Sequence, residues 1–502
     1  MKDNNLERDF SEQEIIRREK YQQLVKDGRD PYLNTIFDRS HKIQEIIDQF
    51  SEFNKEELAN KTDVVITAGR IRFFREAGSK AIFANIQDQE AMIQIYVRQD
   101  EIGEEEFKYF KNLDLGDIIG VTGKMMKTDH GEITIRVKEA ILLTKALKPL
   151  PDKHAGIADI EEKYRRRYVD LIVNPETKQT FINRTKIIRT IQKYLDDKGY
   201  MEVETPILHS LSGGAAAKPF CTHYNALDSE FYLRIATELH LKRCIVGGFE
   251  GVYEIGRIFR NEGLSTRHNP EFTSIELYVA YKDMYFLMDL CEEVIRKCAM
   301  EVNGKTTLSY GGHDLDLGKP FRRWHMVDAI KEITGVDFWK EMTYEEALQI
   351  AKEKGIKVEK HHFSVGHIIN LFYEEFVEET IIEPTFVYGH PREISPLAKA
   401  NPKDPRFTER YELFIVNREY ANCFSELNNP IDQYERFLDQ LKEARSGNDE
   451  ANDMDIDFVE ALEYGMPPTA GIGIGIDRLV MLLTNSESIK DVLLFPQMKP
   501  RG

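Results

Sequence analysis

At Val64 the hydrophobic period of this chain changes from about 3.6 residues to 2. Before that point apolar residues recur at helical spacing, and after it they alternate with polar ones. The alternation predicts five short strands at 64–73, 81–87, 92–97, 117–123 and 132–143, with a helical stretch, 104–113, between the third and fourth. That element order is the order of an OB-fold barrel. A strict alternation commits one side of each strand to the core and leaves the other side free.

The flanking segments read differently. Ser11-Glu12-Gln13-Glu14 is a capping box that opens a helix carrying Ile15, Ile16, Leu24 and Val25 and stopping at Asp27-Gly28, ahead of Pro31. A second helix spans 40–53, with Ile43, Ile46, Ile47 and Phe50 on one stripe. After the barrel, Ala146-Leu-Lys-Pro-Leu-Pro151 is a stiff proline linker. A long helix over 177–198 then ends at Gly199, and strand signals recur at 251–260, 271–280, 411–416, 419–427 and 470–476. Their short returns imply antiparallel pairing. From Tyr281 to Pro384 the pattern is mostly helical, clearest at 343–353, where Thr343 and Glu346 form a capping box, and at 368–379. The chain is expected to be α+β: N-terminal helices over 1–60, the barrel over 61–145, a linker over 146–160, and a sheet domain flanked by helices over 161–502 with a helical insertion at about 330–385.

Charge limits what such a chain can do. Lys and Arg number 68 against 86 Asp and Glu, so the net charge is −18, which argues against coating nucleic acid by bulk charge alone but leaves room for a locally neutral or basic RNA site. Residues 64–148 hold 13 of each sign, so the barrel is neutral and the excess acid lies elsewhere. Five cysteines without a CxxC exclude a disulfide scaffold and argue against structural zinc. His361-His362 reads as a polar surface turn. The opening MKDNNLERDF has no apolar signal core, and the most apolar run, 471–483, is broken by Asp477 and Arg478, so no membrane span and a cytoplasmic location are expected.

Four stretches carry chemistry. The first, GYMEVETP (199–206), runs a helix end into a strand with a proline stop. The second, YEIGRIFRNEGLSTRHNPEFTSIELYVA (253–280), holds Arg257, Arg260, Glu262, Arg267 and His268 in a loop between strands, and guanidinium forks suit a polyphosphate. On its return strand Phe272, Ser274, Glu276, Tyr278 and Ala280 share an open face, while Thr273, Ile275, Leu277 and Val279 meet the core. The third, TAGIGIGIDRL, buries Ile472, Ile474 and Ile476 and leaves Gly471, Gly473 and Gly475 as a bare strip for a flat ligand, with Arg478 beside it. The fourth is a hairpin turning at Asn417-Arg418, with Asn422, Phe424 and Glu426 on one side and Glu412 and Glu419 offering hard carboxylate oxygens.

In this order the first three stretches resemble the three motifs of the class II aminoacyl-tRNA synthetases, with FRNEG and HNPEF in the second and GIGIGIDRL in the third. The N-terminal barrel resembles that of the aspartate, asparagine and lysine subgroup, and SGGAAAKPF (212–220), ATELHLKR (236–243) and NCFSELNNP (422–430) are similar to lysyl-tRNA synthetases of bacterial type. The resemblance implies that Arg260 spans the substrate carboxylate and the ATP α-phosphate. Phe272 would stack on adenine, with Arg478 on its other side reaching the γ-phosphate. Glu262 would accept from the adenine amine, His268 would touch the outer phosphates, and Gly475 would border the nucleotide. Glu412 and Glu419 would hold Mg²⁺. For lysine, the resemblance places Glu238 at the α-amino group, Asn422 at the carboxylate, and Glu426 with Glu276 and Tyr278 nearby at the ε-ammonium, with Gly214 and Phe424 also among the lysine-binding residues. On the barrel, Phe83 and Gln94 would read the anticodon, with Arg70 and Glu132 as neighbours.

Two acids matched to two ammonium groups favour lysine, because a buried glutamate repels an aspartate ligand. The resemblance further implies a homodimer acting on tRNA(Lys), ATP and L-lysine. A non-catalytic paralogue and a short relative that lysylates a translation factor are the alternatives. The former would be expected to lose Arg260 or Arg478, and the latter lacks the barrel. Without a lysine-rich N-terminal extension, non-specific RNA affinity is expected to be modest.

Overall fold

The structure is a computed structural model that describes residues 9–151, 157, 159–215, 217–446 and 454–501. The first eight residues, most of the second half of the expected linker, and Ala216 of the glycine-alanine loop lie outside the described residues. The chain forms two compact units, 1–158 and 159–502.

In the first unit β1 (Val64–Glu76), β2 (Ala81–Gln87), β3 (Met92–Arg98), β4 (Ile118–Lys127) and β5 (Ile133–Thr144) close a barrel in the order β1-β2-β3-β5-β4. Closure comes from the one parallel pairing, β3 with β5, which sets Gln94 beside Thr134. Inward positions such as Val65, Ile71, Ile82, Ile86, Ile93 and Ile95 fill the core. β1 outruns its expected end by three residues, through a register shift between Ile71 and Phe73 that bends it around the barrel. The helix Glu104–Lys111 plugs one end with Phe107 and Phe110.

The first helix, Glu12–Lys26, has the expected Ser11–Glu14 capping box, but it packs against its own apolar pattern. Ile15, Ile16 and Val25 are exposed, while Glu14 and Arg17 are buried. Arg17 donates to the carbonyls of Leu115 (3.1 Å) and Ala146 (2.8 Å), which ties the proline segment along this unit. The second helix is shorter than expected, Ile43–Phe50, and a further one, Lys55–Asn60, is capped by Asn54.

The second unit is built on β6 (Met201–Glu202), β7 (Gly251–Phe259), β8 (Glu271–Ala280), β9 (Arg322–His325), β10 (Thr385–Tyr388), β11 (Arg410–Ile415), β12 (Arg418–Ser425) and β13 (Thr469–Gly475). They lie in the order β9-β10-β11-β12-β13-β8-β7-β6. The six central strands are antiparallel, and each edge strand pairs in parallel, Met201 beside Val252 and Arg322 beside Thr385. The back of the sheet, including Ile275, Leu277, Ile472 and Ile474, packs on helices Pro175–Asp197, Met284–Asn303 and Ile476–Leu483. The stretch read as helical after Tyr281 also holds β9 and a small hairpin, Thr307–Tyr310 with His313–Asp316. Helices Met326–Thr334, Tyr344–Glu353 and Val365–Phe376 make the insertion, with a core of their own around Phe338 and Phe372. Among the described residues no helix is long and apolar enough to cross a membrane.

Candidate active site

Three adjacent strands make the floor. β13 lies between β8 and β12, so Gly475 stands beside Ser274, Gly473 between Glu276 and Asn422, and Gly471 between Tyr278 and Phe424. Gly473 and Gly471 therefore each separate polar or aromatic side chains on both flanks. A Cβ at Gly473 or Gly475 would meet nothing closer than 3.7 Å, so the strip there is bare as expected. At Gly471 it would fall 2.3 Å from both the Tyr278 ring and Glu426 Oε1. This third glycine serves close packing rather than ligand space.

Above the floor lies a cavity of about 680 Å³. Its phosphate-suited end carries Arg260, Glu262, His268, Phe272, Gly475 and Arg478. The Arg260 guanidinium stands 5.3 Å from the Phe272 ring centroid, and its buried Nε has no hydrogen-bond partner. An unpartnered buried donor in a cavity wall is a site awaiting an acceptor. Arg478 opens helix Ile476–Leu483 and donates to the Glu419 carbonyl at 2.6 Å, with the Glu419 carboxylate at 3.2 Å. His268 is set by Ser265, whose Oγ lies 3.1 Å from its Nδ1 and accepts from its backbone N–H.

Glu412 and Glu419 line the same cavity. Burial, then the fields of Glu412, Glu374 and Glu419, push the nearby Glu378 carboxyl up to about 7. This crowding of acids is what a divalent cation relieves, so the oxygen donors fit Mg²⁺. Sequence reasoning missed Arg410, which organises this wall. It donates to Glu412 Oε1 at 2.5 Å and to Asn422 Oδ1 at 3.2 Å, and its guanidinium lies 5.5 Å from the Phe424 ring.

The other end closes over acids. Gly214, Glu238, Glu276, Tyr278, Asn422 and Phe424 line it. Glu238 is the first residue of helix Glu238–Val246 and is 5% exposed. Glu276 accepts from the Thr237 N–H and the Tyr278 hydroxyl, both at 3.1 Å. Burial and the field of Glu238 push Glu276 up to about 7. Tyr278 is 3% exposed, so the face expected to be open is roofed at this end. Glu426 lies just beyond β12, fully buried beneath Gly471 and Tyr278 rather than on the cavity wall. It is in ion contact with Lys242 of the ATELHLKR run, a residue that no local pattern in the sequence singles out.

Two further details were out of reach of the sequence. His361 and His362 do form a turn, yet with His367 they line the cavity rather than plain surface. Asp477 accepts from Arg184 at 2.5 Å and from the Thr273 N–H at 2.7 Å, which fixes the start of the helix that carries Arg478.

On the barrel, Phe83 lies outside the core on the outer face, stacked on Tyr96 with centroids 4.5 Å apart. Gln94 donates to Glu132 at 2.8 Å and accepts from Thr134 at 2.9 Å. Arg70 is the exception: it stands opposite Gln87 and donates to the Gly116 carbonyl at 2.7 Å. The residue opposite Phe83 is Arg75, its guanidinium 5.6 Å from the ring centroid. Arg70 precedes the bulge in β1 and keeps its register with Gln87, while the bulge puts Arg75 rather than Phe74 opposite Phe83.

An OB barrel followed by a mostly antiparallel sheet, with arginines, acids and a glycine strand on its polar face, defines the class II tRNA synthetase architecture. Residues 159–499 match the family described as "tRNA synthetases class II (D, K and N)", and 65–143 match the "OB-fold nucleic acid binding domain". The chain is 70% identical to the lysine–tRNA ligase of Mycoplasma capricolum over 496 residues, 99% of either protein. It is 60% identical to that of Bacillus subtilis over 493 residues, 98% of each, and 57% identical to that of Enterococcus faecalis over 491, also 98% of each. The chain belongs to the lysine–tRNA ligase family.

Proposed function

We propose that the chain activates L-lysine with ATP and Mg²⁺ and transfers it to the 3′ end of tRNA(Lys) in the cytoplasm. The observation that carries this reading is the closed end of the cavity, which Glu238 and Glu276 line and behind which Glu426 lies buried against Gly471 and Tyr278, so that three acids gather at a space suited to a substrate with two ammonium groups. Glu238 and Gly214 take the α-amino group, and Glu426 the ε-ammonium, with Glu276, Tyr278 and Phe424 around it. Asn422 and Arg260 take the carboxylate.

The lysine carboxylate attacks the α-phosphorus of ATP in line, forming the mixed anhydride and releasing pyrophosphate. A carboxylate is already a nucleophile, so no protein base is needed; positioning and charge stabilisation carry the step. Arg260, with a free donor at Nε, bridges nucleophile and α-phosphate. Phe272 and Arg478 sandwich the adenine, Glu262 accepts from its amine, and His268 and Arg478 meet the outer phosphates. Glu412 and Glu419 would hold Mg²⁺, which neutralises phosphate charge. A hydroxyl of the terminal adenosine then attacks the anhydride carbonyl, and AMP leaves.

On the barrel, Phe83 and Gln94 read the anticodon with Glu132. Arg75 and Tyr96 are better placed than Arg70 to assist, because both meet the Phe83 ring. A two-fold homodimer is supported by the exposed apolar residues Met201, Ile207, Leu208 and Leu211 on and after the first motif. Sedimentation of a fully active monomer contradicts it.

ATP–pyrophosphate exchange with each of the twenty amino acids tests the activity. Exchange is expected with lysine and Mg²⁺ and without tRNA. Exchange driven by aspartate or asparagine, with none by lysine, overturns the reading.

A further inference from the structure

At the closed end of the cavity two carboxylates, Glu238 and Glu426, share one resident cation, with Glu276 close enough to act on them through its field. Lys242 lies one turn beyond Glu238 on the same helix and is fully buried. Its Nζ donates to Glu238 Oε1 at 2.6 Å and is in direct ion contact with Glu426. Among the described residues no other cation contacts Glu426, so this ammonium is its nearest compensation. Glu276 has only dipoles, the Thr237 N–H and the Tyr278 hydroxyl. The remaining surroundings add little charge. The Phe458 ring lies 5.9 Å from Nζ, and Lys399 acts on Glu426 only through its field. Tyr278 and Cys423 are pushed up by burial and stay neutral.

A buried lysine inside a lysine pocket competes with the ligand and is costly to desolvate. It is tolerable only if the pocket works better with it. Burial makes Glu276 and Glu426 hold part of their protons in the empty pocket, but once all are ionised three acids and one ammonium leave two negative charges, and lysine brings two ammonium groups when Arg260 takes its carboxylate. We propose that Lys242 is a positioning residue that determines specificity: its ammonium clamps Glu238 to Glu426 and sets the pocket at the two negative charges that lysine neutralises. This rests on the placing of lysine proposed above. Without Lys242 the three acids would face one another, and carboxylates sharing a site retain a proton. Glu426, already pushed up to about 8 by burial with Lys242 beside it, would then keep its proton to still higher pH and offer a neutral carboxyl to an ammonium.

The test is Lys242→Met in the full chain, followed by lysine-dependent exchange from about pH 6.5 to 9. KM for lysine should rise by at least about tenfold near neutral pH. It should return toward the unaltered value as pH rises, because Glu426 now ionises only at higher pH. KM for ATP should change less than about twofold. An unshifted pH profile, or KM values for lysine and ATP that rise together, overturns the proposal. The unaltered enzyme gives a second test that needs no variant: titration calorimetry with lysine near pH 8 in two buffers of different ionisation heat. Release of a fraction of a proton, up to about one per site, is expected. Release near two means that Lys242 offsets no acid, and release of none means that no acid was left uncompensated; either result overturns it. Absence of lysine-dependent exchange by the unaltered enzyme would instead sink the proposed activity.

Discussion

The outer face of the barrel and the polar face of the catalytic sheet both place side chains on the free side of alternating strands, yet they work by different physics. Phe83 rests half-buried on Tyr96, and Gln94 and Glu132 pair within reach of water. Stacking and amide contacts of this kind lose little when solvated, so each acts largely alone. On the sheet, Glu238 and Glu426 are 5% and 0% exposed and are held by a single buried ammonium. Buried charges act as a set, since removing one member leaves the others uncompensated. The barrel can therefore be edited residue by residue, and the pocket cannot.

The largest expected effect lies at the phosphate end. Arg260→Gln should lower lysine-dependent exchange by about 10²–10³-fold, the cost of losing a donor aimed at developing charge. A loss confined to tRNA charging would move Arg260 out of the first step. Next, Glu426→Gln removes one charge-assisted contact, about 1.5–3 kcal/mol, so lysine specificity should fall roughly ten- to a hundredfold or more. Discrimination of lysine from norleucine should weaken with it. If it does not, Glu276 is the residue that reads the ammonium.

The pH profile sharpens the contrast from the side of the sheet. Glu276 is pushed up to about 7, so below that pH its carboxyl is neutral. KM for lysine should rise as pH falls through that value, by at most about tenfold per unit for one proton. Anticodon affinity, measured with a lysine-free binding assay, should stay flat over the same interval.

Phe83→Ala should weaken charging by about 1–3 kcal/mol and leave exchange intact. Combined with Glu426→Gln, it should add to within about 0.5 kcal/mol, because the two residues share no partner. Equal damage to both assays would return Phe83 to a structural role. The smallest effect belongs to the first helix: Ile16→Ser should move unfolding free energy by no more than about 0.5 kcal/mol, because Ile16 is exposed.

How much of this was legible follows from where the chemistry is local. Strand alternation identified the faces of β2, β8 and β13, and the capping boxes at Ser11 and Thr343 marked helix starts, because both signals live within a few residues. Ile15 and Ile16 misled because apolar spacing shows that a stripe exists but not what lies beside it; here Arg17 found two carbonyls instead. The register of Arg70 was not legible for a related reason, since alternation does not say which residues stand opposite: Arg70 faces Gln87, and a one-residue bulge puts Arg75 rather than Phe74 opposite Phe83.

By itself, then, the sequence determined the barrel, the polar faces of the catalytic strands and the residues gathered on them, through periodicity and motif chemistry. Only the tertiary structure decided which charges share a space. Lys242 and Glu426 are separated by most of the second unit in sequence yet touch in the fold, and Arg410 joins Glu412, Asn422 and Phe424 across a hairpin. Burial, and therefore the strength of every charge in the pocket, arises only when distant strands and helices close over it.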